Sequence, residues 1–137
     1  MRTLRRLVVP AVAAAVLVIT TACGGKGEAA GPTVISIRFS HFQQEVVTAK
    51  AGQPISLLIR NDDPIDHEWI VGTEEVHERH RSGTDPVHDQ IPTEVTVPAL
   101  SQRPTVVRFD VPGDYAFICH LPGHEAYGMK GILRVEP

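Results

Sequence analysis

The chain has 137 residues, 42% hydrophobic and 21% charged, with a formal net charge of −3, two cysteines and seven histidines. That length holds one domain and leaves no room for a second. The acidic balance argues against a nucleic-acid partner, and two cysteines allow at most one disulfide.

The chain opens with MRTLRRLVVPAVAAAVLVITTAC, in which three arginines precede an apolar run from Leu7 to Ile19. This is the pattern of a signal peptide. The run falls short of the roughly 20 apolar residues that span a bilayer, and Pro10 interrupts it; an uncleaved N-terminal anchor is the alternative reading. The segment ITTAC with Gly24 and Gly25 after it resembles the lipobox of bacterial lipoproteins, although Thr20 stands where that motif prefers Leu. The resemblance implies a lipid on Cys23, which would become the mature N-terminus and tether the chain to a membrane by buried CH₂ groups. Residues 1–22 then form a signal peptide of lipoprotein type and residues 23–32, rich in Gly and Ala, a flexible tether. The domain occupies 33–137. Loss of Arg2, Arg5 and Arg6 with the signal peptide takes the net charge from −3 to −6, which favours a basic protein partner.

From Thr33 the pattern is β throughout. TVISIRF (33–39) alternates, with Ile35, Ile37 and Phe39 on one face, and ISLLIRN (55–61) follows a turn at Gly52 and Pro54. HEWIVG (67–72), TEVTV (93–97), TVVRFD (105–110), YAFIC (115–119) and GILRVE (131–136) are further strands, with Gly and Pro at nearly every junction. Seven or eight short strands in one domain predict an all-β, antiparallel, Greek-key sandwich. The segment 73–92 interrupts the pattern. It is charged, and residues 74–81 can form two helical turns with His77 and His80 on one face, so it reads as a solvated excursion between strands.

The chemistry is concentrated in CHLPGHEAYGM, residues 119–129. A core has little use for two imidazoles beside a thiol, whereas a soft metal takes this set. Two imidazoles, a thiolate and a weak axial thioether make the donor set of a blue copper site, while zinc more often recruits a second cysteine or a carboxylate. Neighbouring residues of an extended segment point to opposite sides, so His120 is poorly placed to share an ion with Cys119, and His124 beyond the Pro122-Gly123 turn is the better ligand. His120 is expected to face solvent or to support the site from outside. The second imidazole is assigned to His67, which starts an apolar strand directly after the bend at Asp63 and Pro64. Competing readings are a Cys23–Cys119 disulfide, a core role for Met129, and Cys119 as a nucleophile beside His124, for which no third residue is evident.

The spacing C-x4-H-x4-M, with Pro-Gly before His124 and Gly131 two residues after Met129, resembles the ligand loop of cupredoxins, and of rusticyanin-like members above all. Asn61, Asp63 and His67 ahead of Trp69-Ile70-Val71 are similar to that family's first-histidine region, and PGDYAFIC to the strand that enters the copper loop. The resemblance implies one type 1 copper held by His67, Cys119, His124 and Met129, and single-electron transfer as the function without catalysis. It also implies redox protein partners such as a cytochrome or an oxidase, met through an apolar patch of Leu121, Pro122, Ala126 and Tyr127. Glu68 departs from the pattern, because many cupredoxins carry Asn or Ser after the first histidine. Together with the signal peptide, this describes an exported, periplasmic or cell-envelope carrier, lipid-anchored and monomeric. Copper buffering or delivery is the alternative, to which a second site at His77, His80 and His88 would contribute.

Overall fold

Alternation of apolar and polar residues gives each strand one face to bury, and two such sheets bury them against each other. The computed structural model describes residues 31–84 and 91–137. The signal peptide, Cys23 and His88 lie outside the described residues, as does all of the tether before residue 31.

In chain order the elements are β1 (Thr33–Arg38), β2 (His41–Phe42), β3 (Val46–Lys50), β4 (Ile55–Asn61), β5 (His67–Gly72), α1 (Glu74–Ser82), β6 (Glu94–Val97), β7 (Gln102–Val107), β8 (Gly113–Ile118) and β9 (Lys130–Glu136). One sheet runs β2-β1-β4-β7 and the other β3-β9-β8-β5-β6. The chain crosses between them at each of the β2–β3, β3–β4, β4–β5, β6–β7 and β7–β8 connections. This is the expected all-β Greek-key sandwich, with one difference: β1 pairs parallel with β4, and β3 parallel with β9. Each parallel partner is reached only after an excursion through the other sheet, which supplies the long connection that parallel pairing needs.

The core lies between the sheets. Ile35, Ile37, Leu57, Ile59 and Val107 face Val47, Trp69, Val71, Phe117, Leu133 and Val135, all buried. Phe117 is central, meeting Phe42 edge-on at 5.1 Å and Trp69 at 6.1 Å between ring centres. Burying a ring system the size of Trp69 stabilises the fold by on the order of 4–6 kcal/mol in area terms.

Two sequence expectations are corrected, and one strand that the pattern did not reveal is added. Phe39 does not continue the buried face of β1 but is 85% exposed, with φ of 54°, and Phe42 fills the core position instead. The cause is a turn: the Asp63 carboxylate accepts the backbone N–H groups of Phe39 and Ser40, each at 2.7 Å, and bends the chain out of the sheet. Strand β7 starts earlier than residue 105 and includes Pro104, which costs little because β7 is a sheet edge. Strand β3 escapes the pattern because Val47 is its only fully buried side chain.

The excursion is also more ordered than its charge suggests. Helix α1 carries Glu74 and Glu75 in its first turn and Arg79, His80 and Arg81 in its last, matching the helix dipole, and Gly83 ends it in the left-handed conformation. Its His77 and His80 are buried rather than solvated.

Gly131 stands where β9 passes under Phe117. A Cβ there would run into the Phe117 ring and lie 2.9 Å from the Glu45 carbonyl oxygen, which is backbone and cannot swing away. Gly131→Ala should therefore destabilise the domain by about 2–3 kcal/mol, read as a lower urea midpoint at unchanged slope.

Candidate metal centre

Three central strands of the larger sheet deliver the chemical groups to one end. Strand β5 begins with His67, β8 runs into Cys119, and Met129 leads into β9. Between Cys119 and Met129 the chain is pinned by its own backbone. Cys119 N–H donates to Met129 O at 3.2 Å and Met129 N–H to His124 O at 3.0 Å, while His124 N–H reaches Leu121 O at 3.0 Å. Tyr127 N–H donates to Gly123 O at 3.0 Å, with Gly123 in the left-handed region at φ 86°. The loop is thus shaped by main-chain bonds, which leaves its side chains available for a ligand.

The His67 Nδ1 and His124 Nδ1 atoms stand 3.2 Å apart, and Cys119 Sγ is 3.3 Å from His124 Nδ1. One donor atom from each of the three lies within 4.8 Å of the others. His67 and Cys119 are fully buried and His124 half-buried. Met129 is fully buried in the same core cluster as Cys119.

The first histidine is fixed from behind. His67 Nε2–H donates to Asp63 Oδ2 at 3.0 Å, so Nδ1 is the nitrogen left with a lone pair, and it faces His124. Burial holds His67 below its ordinary pKa, against the pull of Asp63, so the contact is a neutral imidazole on a carboxylate. Burial raises Asp63, but the bonds from Ser40, Phe39 and His67 outweigh it and keep the carboxylate ionised below its usual range. Asn61 secures the bend: its Oδ1 accepts Asp63 N–H at 2.9 Å and its Nδ2 donates to Ile65 O at 2.7 Å. Sequence reading placed Asp63 in a bend and missed this role. Its only signal was a carboxylate four residues before the assigned histidine.

Cys119 accepts a hydrogen bond from Glu68 N–H at 3.3 Å. Burial pushes its thiol up to about 11, with the Glu68 and Leu121 N–H groups pulling the other way. A thiol so placed keeps its proton at neutral pH until a cation replaces it. The donor set therefore fits a soft or borderline ion: one sulfur and two imidazole nitrogens converge, with His67 and Cys119 buried and His124 half-buried.

His77, His80 and His120 gather on the other side of β8. His120 is not solvent-facing; its side chain is 5% exposed and lies between His77 and His80 of α1, with ring centres 5.2 Å from each. His41 sits apart on β2, exposed and bonded to Phe39 O.

Comparisons with known proteins agree with this geometry. Residues 33–136 match the family of copper binding proteins described as plastocyanin/azurin. Auracyanin-A of Chloroflexus aurantiacus is 28% identical, over 96% of this chain and 97% of that protein. The copper-resistant cuproprotein CopI of Rubrivivax gelatinosus is 26% identical over 69% of this chain, which spans only 59% of that relative's length. The crystal structure of dithionite-reduced auracyanin from Roseiflexus castenholzii superposes with a TM-score of 0.64 at 22% identity, covering 79% of this chain and 99% of that one, a likeness of fold.

The buried imidazoles set a pH dependence for the metal-free chain. Burial holds His67 and His77 below the ordinary histidine value of 6.5 and takes His120 down to about 4. The unfolded chain therefore binds more protons than the folded one in that interval, so stability is full above 6.5 and is lost as pH falls towards 4. Urea unfolding of the metal-free chain at pH 7 and pH 5 should show a lower free energy at pH 5; an equal or higher value would refute the assignment.

Proposed function

Because the chain belongs to the plastocyanin/azurin family of copper binding proteins, we propose that it carries single electrons between redox protein partners through one type 1 copper held by His67, Cys119, His124 and Met129. The observation that carries this reading is the closed and prearranged donor set, in which the facing imidazole nitrogens are 3.2 Å apart. Bound copper supplies a one-electron couple. The protein contributes a thiolate, two imidazoles of fixed orientation and exclusion of water.

Each residue has a part in that. Cys119 gives up its proton when the ion enters, so loading is favoured by rising pH. Asp63 fixes the tautomer and ring of His67 and makes it a more basic ligand, as carboxylates behind metal-binding histidines do. The backbone N–H of Glu68 donates to the sulfur, the support that an Asn or Ser side chain gives elsewhere in the family being absent here. With four donors from protein the ion has no position for a substrate, which supports a carrier over an enzyme.

His124 is the outlet. Of the three convergent donors it alone reaches the surface among the described residues, since His67 and Cys119 are fully buried. Around it stand Leu121, half-buried, Pro122 and Ala126, exposed, and Tyr127, 73% exposed. We assign this apolar patch to partner docking. The signal sequence and Cys23 support export and lipid anchoring of a monomer through the 23–32 tether, which leaves the patch free to reach a membrane-bound partner.

A second reading, copper buffering or delivery in the cell envelope, is favoured by the likeness to a copper-resistant cuproprotein. The two separate on spectra. The full chain loaded with Cu(II) should show an intense blue thiolate-to-copper band and a narrow copper hyperfine splitting, both lost in Cys119→Ser. A pale spectrum indifferent to Cys119 would move the second reading to first place.

Asp63→Asn removes a buried negative charge from behind His67, so oxidised copper loses more stabilisation than reduced copper. The reduction potential should rise, with the blue band retained, in protein-film voltammetry; an unchanged or lower potential would reject this role for Asp63.

A further inference from the structure

Three histidines that the first site does not use, His77, His80 and His120, have buried side chains, which for the two on α1 is unusual in a charged segment. His77 Nε2–H donates to Ala116 O on β8 at 3.1 Å, which leaves its Nδ1 as the lone-pair nitrogen. That Nδ1 lies 2.9 Å from His120 Nε2. Two nitrogens bound to one ion at the about 2.0–2.1 Å usual for imidazole stand about 2.9 Å apart in the square arrangement copper(II) prefers and about 3.3 Å apart in the tetrahedral one of zinc. His120 Nδ1, the far nitrogen of the second ring, lies 3.6 Å from Glu125 Oε2.

We propose that His77 and His120 form a second metal site, for a divalent copper or zinc ion, on the face of β8 opposite Cys119. Without the ion, His120 Nε2–H donates to His77 Nδ1. When the ion enters, the His120 proton moves to Nδ1, whose N–H closes the 3.6 Å gap to the Glu125 carboxylate and donates to it, and both inner nitrogens turn their lone pairs to the metal. No net proton is released. Each ligand then has its outer N–H on a fixed acceptor, Ala116 O for His77 and the Glu125 carboxylate for His120, the arrangement that orients metal-binding histidines. Arg81 holds Glu125 in place through both its oxygens, at 2.7 and 3.1 Å, so the carboxylate serves as an acceptor and not as a ligand.

This reassigns the helical pair. His77 and His80 share a face of α1, but His80 Nδ1–H donates to Val76 O at 2.9 Å and its Nε2 faces Glu94 Oε2 at 3.6 Å. His80 stacks on His120, with the rings 21° from parallel, and supports the ring that binds. The partner of His77 is therefore His120, from the copper loop. Copper(II) is the divalent ion that two imidazoles favour most. Because His120 follows Cys119 directly, the two sites are joined through one peptide unit.

The test is titration of the full chain, already loaded with one copper, with further Cu(II), followed by equilibrium dialysis and EPR. The wild type should bind a second ion, with a wide copper hyperfine splitting and no added thiolate band. His77→Gln and His120→Gln should each lose that ion. Glu125→Gln, a change at a partly exposed position that spares the fold, should weaken it about 10–100-fold. A wild type that binds one ion only, or a second ion that survives all three substitutions and so sits on surface groups, overturns the proposal. The blue band reports the first site separately, so failure of the electron-carrier reading would not be mistaken for failure here.

Discussion

The Asp63 carboxylate is the contact on which the copper end of the molecule is built. Burying an ionised carboxylate costs several kcal/mol unless its oxygens are satisfied. Here Oδ1 accepts one backbone N–H and Oδ2 accepts another together with the His67 ring. Three segments are tied at one point: the turn that ends β1, the bend that closes β4, and the first residue of β5. The same bond that fixes the tautomer of a metal ligand also decides where the first strand stops, so fold and site share one electrostatic anchor.

Much of this was legible in the residues. Strand alternation gave the sandwich, because each buried face needs a partner, and the spacing of Cys119, His124 and Met129 gave the loop. His67, Cys119 and His124 do converge. What escaped was set by contacts remote in sequence. The periodicity of TVISIRF carries Phe39 inward, yet a carboxylate 24 residues away turns it out. The histidines of α1 read as solvated because their neighbours are charged, and nothing local shows that the helix lays that face against His120. The parallel pairings of β1 and β3 depend on crossings between sheets, which strand patterns do not record.

Glu68 illustrates how a departure in sequence need not be one in structure. Its side chain differs from the Asn or Ser that many cupredoxins place there, but its N–H reaches Cys119 Sγ at 3.3 Å. The link between the first-histidine strand and the cysteine loop is therefore made by a group that every residue except proline possesses. The half-buried Glu68 side chain brings a negative charge close to the sulfur.

The place of the loop within the sheet has a further consequence. Strands β9, β8 and β5 are consecutive neighbours in the middle of the five-stranded sheet, with β3 and β6 outside them. His67 begins one of these inner strands, Cys119 and Met129 flank the other two with His124 in the loop between them, and the Cys119–Met129 backbone bond extends the ladder. Fraying, which starts at sheet edges, does not reach them. Parting His67 from Cys119 requires breaking the middle of the sheet, an opening that costs more than fraying at its edges. Fraying of the edge strands β3 and β6 therefore leaves the His67–Cys119 pair in place.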